Sequence, residues 1–301
     1  MEDTPNNALK KYELIDDTIT ISFSGRTLHR IRALKDFGLV KKGDLGGYIE
    51  SEHNLSHDGN CWVYYDAKVF DRARIFGDAC VYDNACVFGC ADVYDHAQVH
   101  GYALIFDNAE VFNNAEIYGH AQVYDNAKIY ENAELYDGAK IYDNAEVHGN
   151  AEVHGSAQIY DNAKVCDNAE VGGNVKVYNT AKIFGNAEIS GNVKVFNNAA
   201  VFANAIICDN TLIHGCAQVC GDSKVCDNAQ VCGDALVCGD AEVGGNAQIY
   251  GNAEVYDSAH IYDNAQIYGN AEVYSNAQIY GCARVFSDTC GGMYWGVSDN
   301  T

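Results

Sequence analysis

Residues 145–168 read AEVHGN, AEVHGS, AQIYDN, AKVCDN, four consecutive hexads with Ala first and Val or Ile third. The third letters are Val147, Val153, Ile159 and Val165, and stepping by six in either direction keeps finding the same kind of residue. A Val, Ile or Leu stands at every sixth position from Val63 to Val285, 38 positions without a gap, and Leu135 is the single Leu among them. Two residues before each stands a small residue, Ala in 33 of the 38 cases; the exceptions are Cys61, Val175, Val193, Thr211 and Ser223. Residues two apart share one face of a strand, and those flanking the Val point the other way. The Gly/Asp and Asn pair that follows is turn chemistry tolerant of positive φ. Each hexad therefore predicts one short strand and one corner. A period of six fits no multiple of 3.6, and Val, Tyr, Gly and Asn make a poor helix. Separate hairpins do not fit strands that all carry one polarity of pattern. A coil of identical turns does, each strand pairing in parallel and in register with the strand one coil above.

The pattern [LIV]-[GAED]-x-x-[STAV]-x, here Val147-His148-Gly149-Asn150-Ala151-Glu152, resembles the hexapeptide repeat of left-handed parallel β-helices. The resemblance covers the whole run from Val63 to Val285. It implies an all-β fold, a left-handed triangular prism with three hexads per coil. The left hand comes from the resemblance alone, since crossover sterics favour the right. Thirty-eight hexads make about 12.7 coils, a rod of roughly 60 Å at ~4.8 Å per coil. The single Pro, Pro5, lies outside the repeat, as expected when every internal strand needs its ladder N–H.

Residues 1–60 differ. KYELIDD, TITISF and RTLHRIRAL read as short strands around turns, and the segment holds 8 Lys+Arg and 10 Asp+Glu. Gly46-Gly47, Leu55-Ser56, Gly59 and Cys61-Trp62-Val63 make this stretch similar to the opening of the YdcK-like group of bacterial and prophage hexapeptide proteins. That resemblance implies a fold and brings no established chemistry. The expected organisation is an N-terminal β cap over 1–60 covering the open edge of the first coil, a β-helix over 61–288, and a C-terminal cap or tail over 289–301. In the tail, Met293 and Trp295 are expected to fold over the last coil.

Composition narrows the function classes. With 19 Lys+Arg against 42 Asp+Glu the net charge is −23, which disfavours direct binding to nucleic acid or to an anionic membrane. No run approaches 18 apolar residues, and MEDTPNNALKK has no apolar leader core, so neither a membrane span nor Sec export is expected. Thirteen Cys without CxxC spacing fit a reducing compartment better than a disulfide framework. The expectation is a cytoplasmic protein.

With three hexads per coil, outward residues from every third hexad stack in columns. One face carries Phe70, Phe88, Phe106, Tyr124, Tyr142, Tyr160, Tyr178, Phe196, His214, Cys232, Tyr250, Tyr268 and Phe286. Its second column runs Lys68, Cys86, Leu104, Gln122, Lys140, Gln158, Lys176, Lys194, Leu212, Gln230, Gln248, Gln266 and Arg284. Neither column holds a carboxylate. A second face stacks Glu116, Glu134, Glu152, Glu170 and Glu188 beside Tyr64, Tyr82, Tyr118 and Tyr136; the third mixes Asp92, Glu110, Lys128, Glu146, Lys164 and Lys182. Stacked rings stabilise in-register strands and account for aromatics on every face. They do not account for one face without acids. An apolar, weakly basic strip is what an interface looks like, so its aromatic residues, with Lys140, Lys176 and Lys194, form the candidate binding set. The lysines are placed to reach the Asp125–Asp161 corner or a neighbour's Glu column.

Weaker constellations remain. Cys208/Cys226 and Cys220/Cys238 are column neighbours, spaced for a disulfide or for two ligands of a metal. Asp107, Asp125, Asp143 and Asp161 stack at one corner, most simply as solvated turn residues, and Asn108, Asn126, Asn144 and Asn162 beside them as an amide ladder. No metal and no cofactor is expected. The fold resemblance brings acyl transfer into view: many hexapeptide β-helices are trimeric acyltransferases with a CoA-ester site between prisms and a His base near an inserted loop. Here no residue is inserted into 38 hexads, and His148 and His154 have neither a loop nor a fixed carboxylate partner. A rigid acidic rod, net −21 over residues 61–301, could instead mimic DNA. The favoured expectation is a non-enzymatic scaffold that self-associates, as a dimer or trimer, or docks a protein partner through the acid-free face.

Overall fold

The computed structural model describes residues 10–22 and 24–296, which fall in two compact units, residues 1–143 and 144–301. In the first unit the chain opens with three strands, β1 (Tyr12–Thr20), β2 (Thr27–Ala33) and β3 (Leu45–Ile49), paired antiparallel in that order. The solenoid then begins with two-residue strands, β4 (Trp62–Val63), β5 (Lys68–Val69) and β6 (Arg74–Ile75). Each pairs in parallel with the strand three hexads on: Val63 with Val81, Val69 with Val87, Ile75 with Val93. The same register recurs in the second unit, as in Val153 with Val171, Ile159 with Val177 and Val165 with Ile183. Each unit is thus a parallel β-solenoid of three sheets, one strand per sheet in every coil.

The inward Val/Ile and Ala columns are completely buried through most of both units. The departures in the small column stay inside as well: Val175, Val193, Thr211 and Ser223 are all fully buried. Thr211 resolves its hydroxyl by donating to Cys208 O at 2.7 Å. A core this narrow leaves room for a β-branched residue and a methyl group, which is why the sequence is so monotonous there.

Corners explain the rest of the hexad. Every sixth residue from Gly59 to Gly281 has φ between 54° and 91°, the left-handed region. Gly, Asp and Asn dominate these positions, as the turn chemistry predicts. At Gly149, φ 78°, an added Cβ would also lie 2.6 Å from Asp167 N, so coil contact as well as φ selects glycine. Where the corner is Asp, its carboxylate does more than tolerate the conformation. Asp167 accepts from Gly185 N at 3.0 Å, Asp227 from Gly245 N at 2.7 Å, and Asp161 from both Asn179 N and Nδ2 at 2.9 and 2.8 Å. The solvated-turn expectation for the stacked aspartates is corrected accordingly: Asp125 accepts from Asp143 N at 3.3 Å and Asp161 is doubly engaged. The residue after the corner forms the expected amide ladder. Asn108 donates to Asn126 at 3.2 Å, and Asn174, Asn192, Asn210, Asn228, Asn246 and Asn264 link in one run at 3.0–3.2 Å.

Residues ahead of the repeat pair with its first coil. β3 joins β5 in parallel, Tyr48 opposite Lys68 and Ile49 opposite Val69, while Ser56 N donates to Ile75 O at 2.9 Å. Asn54 Nδ2 donates to Ala73 O at 2.9 Å, satisfying a carbonyl that has no coil before it. The Gly46-Gly47 pair permits the approach: a Cβ on Gly46 would lie 2.6 Å from Val63 O, and one on Gly47 2.5 Å from Ala67 O. Lys11 is completely buried, its Nζ donating to Cys61 O at 2.9 Å and facing Cys61 Sγ at 3.2 Å. Burial pushes the Lys11 pKa down and the Cys61 thiol up.

At the other end, Thr289–Cys290 and Met293–Gly296 pair with Glu272–Tyr274 and Gln278–Gly281, extending two sheets. Met293 remains 63% exposed, so it does not fold over the last coil; its strand uses it as an edge residue instead. The Trp295 side chain lies outside the described residues. Among the described residues no helix is long and apolar enough to cross a membrane.

Candidate functional site

In each unit the acid-free face is the outer surface of one sheet, which in the first unit contains β3 and β5. Its aromatic column forms parallel ring stacks within each unit. In the first, Phe70, Phe88, Phe106, Tyr124 and Tyr142 stack at 4.8–5.0 Å with planes within 6° of parallel. In the second, Tyr160, Tyr178, Phe196 and His214 stack at 4.8–5.0 Å, and Tyr250 and Tyr268 at 5.3 Å. Phe286 tilts away by 37° and is 66% exposed. The spacing is that of the strands, so each ring sits directly on its neighbour and shows one edge to solvent. Burial, with Asp125 and Asp143 next and Asp161 respectively, pushes the Tyr124 and Tyr178 phenols up.

Phe70 is not available to a partner. It is 1% exposed, packed with Ile21, Leu28 and Tyr48 of the cap, and Phe88 is partly covered by the same cluster. The cap extends this sheet edge-on, so its own apolar side chains fall onto the first rings of the column. Column arithmetic alone places Phe70 on an open strip, because it treats cap and solenoid separately.

The lysines behave differently from expectation too. Lys140, Lys176 and Lys194 form no ion pair among the described residues. The corner carboxylates they were expected to reach are occupied by backbone N–H groups of the following coil. Lys176 lies directly between Gln158 and Lys194 in register, so the second unit presents adjacent unpaired ammonium groups beside its ring stack.

On the glutamate face Glu152, Glu170 and Glu188 stand in register, an unfavourable like-charge stack. Histidines meet two carboxylates of this face. His154 Nε2 lies 3.1 Å from Glu170 Oε1, and His100 Nε2 lies 2.8 Å from Glu116 Oε1. The expectation that His154 lacks a fixed carboxylate partner is therefore corrected. The partner sits one coil up and one step diagonal, and a column-by-column reading passes over it. The same diagonal joins Tyr256 to Glu272 at 3.0 Å. Gly172 makes the His154 pose possible: a Cβ there would lie 2.3 Å from the imidazole Cε1. A His–Glu pair can hold or pass a proton, yet no inserted segment covers it.

Cys208 and Cys226 are joined as a disulfide across adjacent coils, Cα–Cα 4.7 Å, where the composition favours free thiols. With Asp209 they form a group of metal-ligating atoms, but the two sulfurs are spent on each other.

Comparison with known proteins agrees with this architecture. Residues 247–264 and 265–281 match the family model described as YdcK β-solenoid repeat. Over 76 residues the chain is 34% identical to an Escherichia coli (strain K12) protein named "Uncharacterized acetyltransferase YdcK", and the match spans 23% of each chain. The aligned stretch is thus under a quarter of that relative. The chain carries YdcK-type β-solenoid repeats.

Proposed function

We propose that the protein is an interaction scaffold whose solenoid units associate, with a second copy of this chain in the first instance, through the acid-free face. One observation carries this. Outward columns on the other two sheets hold runs of Glu and Asp, while both columns of this sheet hold none. The cap supports it: Leu28, Tyr48 and Ile21 already dock on Phe70, an intramolecular sample of what the ring column accepts. Each half-buried tyrosine has roughly 50 Å² left to cover, about 1 kcal/mol before association costs.

Light scattering at micromolar concentration tests the reading. Tyr142→Glu together with Tyr160→Glu should reduce the particle mass to that of one chain without unfolding it, and Tyr118→Glu with Tyr136→Glu should leave it unchanged. A single-chain mass for the unmodified protein contradicts self-association.

Acyl transfer is the second reading, favoured by the relative's printed name and by the His154–Glu170 pair. The imidazole would take the proton of an acceptor amine or hydroxyl, with Glu170 orienting it. Turnover of acetyl-CoA abolished by His154→Ala would establish it. Fold alone does not carry chemistry, and the uniform surface favours the scaffold.

A further inference from the structure

Counting outward along the hexads, the residue after the buried Val/Ile is Tyr, Phe or His through most of the chain. From 208 to 238 it becomes Cys208, His214, Cys220, Cys226, Cys232 and Cys238. Among these cysteines two pairs stand one coil apart in a column: Cys208/Cys226 and Cys220/Cys238. The first pair is a disulfide. The second occupies the same place in the same register on a neighbouring sheet. Ile207 pairs with Val225 just before the bonded cysteines, and Val219 pairs with Val237 just before the others. Cys208 N donates to Val225 O at 3.0 Å, and Cys220 N to Val237 O at 2.8 Å. Both side chains are half-buried, within reach of small reagents.

We propose that Cys220 and Cys238 are a second cross-coil disulfide site, closed by a hydroperoxide, so that oxidation staples the same stretch of solenoid on two of its three sheets. The attack starts from one of the two sulfurs, here Cys238. Its thiolate forms an S–O bond as the peroxide O–O bond breaks, and the leaving oxygen departs as water. The Cys220 thiolate then attacks the sulfenic sulfur, the S–S bond forms, and the S–O bond breaks to release a second water. Two thiols lose two electrons and two protons, and hydrogen peroxide becomes two waters. Burial holds the Cys220 thiol at a pKa of about 11, so closure is slow at neutral pH and needs sustained oxidant. The consequence follows from how repeat structures come apart, coil interface by coil interface. Rings 208–226 and 220–238 overlap, so neither of the coil interfaces they cross can open alone.

Cys232 is the internal control. Its column neighbours are His214 and Tyr250, with no thiol one coil above or below. The full-length protein is reduced with a phosphine, freed of it, exposed to hydrogen peroxide, and alkylated before peptide mass mapping. The expected result is a linked Cys220–Cys238 peptide lighter by two hydrogens, with Cys232 alkylated. The oxidised protein should also resist proteolysis within 208–238 several-fold longer than the reduced one, and Cys220→Ser should lose part of that protection. Alkylation of both Cys220 and Cys238 after oxidation, whatever the state of Cys208 and Cys226, overturns the proposal. So does a linkage of either to glutathione or to a second chain in place of the internal bond.

Discussion

Asp167 isolates what a corner carboxylate contributes. It sits at φ 62°, and its Oδ2 accepts from Gly185 N at 3.0 Å, one coil further on. Three substitutions separate conformation from hydrogen bonding. Asp167→Asn keeps an acceptor and a residue that tolerates this region, and should cost well under about 1 kcal/mol. Asp167→Gly removes the acceptor, about 1 kcal/mol for an exposed bond. It relieves the left-handed strain but adds about 0.5–1 kcal/mol of unfolded-state entropy, leaving a net loss of about 1 kcal/mol. Asp167→Ala loses the same bond and places a Cβ in the left-handed region, a further cost of about 1 kcal/mol, for roughly 2 kcal/mol in total. Urea midpoints should fall in the order Asn, Gly, Ala. Amide exchange at Gly185 should quicken for Gly and Ala and hardly change for Asn. If Ala and Asn proved equal in both assays, the corner carboxylate would be a bystander and φ alone would select the residue.

Other expectations follow from the inward and outward assignment. Val171, fully buried, should not tolerate Asp, with a loss of several kcal/mol in urea denaturation, whereas Glu170→Gln beside it should change stability little. Phe70→Ala should release the cap, costing about 3 kcal/mol locally, read as new proteolytic cleavage within residues 10–60 while the repeat stays intact. Tyr262 OH donates to Glu242, and this bond, with His260 contributing, holds the Glu242 carboxyl below its usual range. A depressed carboxylate lends stability at neutral pH and loses it as pH falls through the folded-state value. Tyr262→Phe should therefore flatten the acid limb of a stability–pH profile, and an unchanged limb would remove the bond from the account.

Period, core column, parallel register and the existence of a cap were legible because each rests on a repeated choice. Val or Ile at every sixth residue has one physical explanation, and 38 instances leave little room for another. Features lying across columns were not legible in the same way. His154 and Glu170 are neighbours only through the diagonal offset, and nothing in either column marks them. The role of Asp125 or Asp161 needs the left-handed corner first; only then does the carboxylate point at the next coil's N–H. Phe70 shows the third limit. Its letter is that of every ring in its column, and the cap that covers it is assembled from Ile21, Leu28 and Tyr48, far earlier in the chain. Cysteine pairing sat between these cases: column arithmetic selected 208/226 and 220/238, but chemistry rather than register decides which is bonded.

A strictly repeated surface can hold a localised site only where the repeat departs from itself. Along the glutamate face such departures cluster in the second unit, where Gly172, Ser190, Cys208, Cys226 and Gly244 replace the rings of the column. At both limits of this run a ring leans into the vacated space. His154 moves over Gly172, and Tyr262 lies 2.8 Å from where a Cβ on Gly244 would be. Each leaning ring meets a glutamate, Glu170 and Glu242 respectively. Chemistry confined to one or two coils would have to use such a place, and removing His154 would then abolish it. The acid-free face has the opposite character. Its distinguishing property, the missing carboxylates, persists through every coil of both units, so no single substitution should erase its function. Graded loss with each added Glu at 124, 142, 160 or 178 is the signature of docking along a face. Abrupt loss at one residue is the signature of a site.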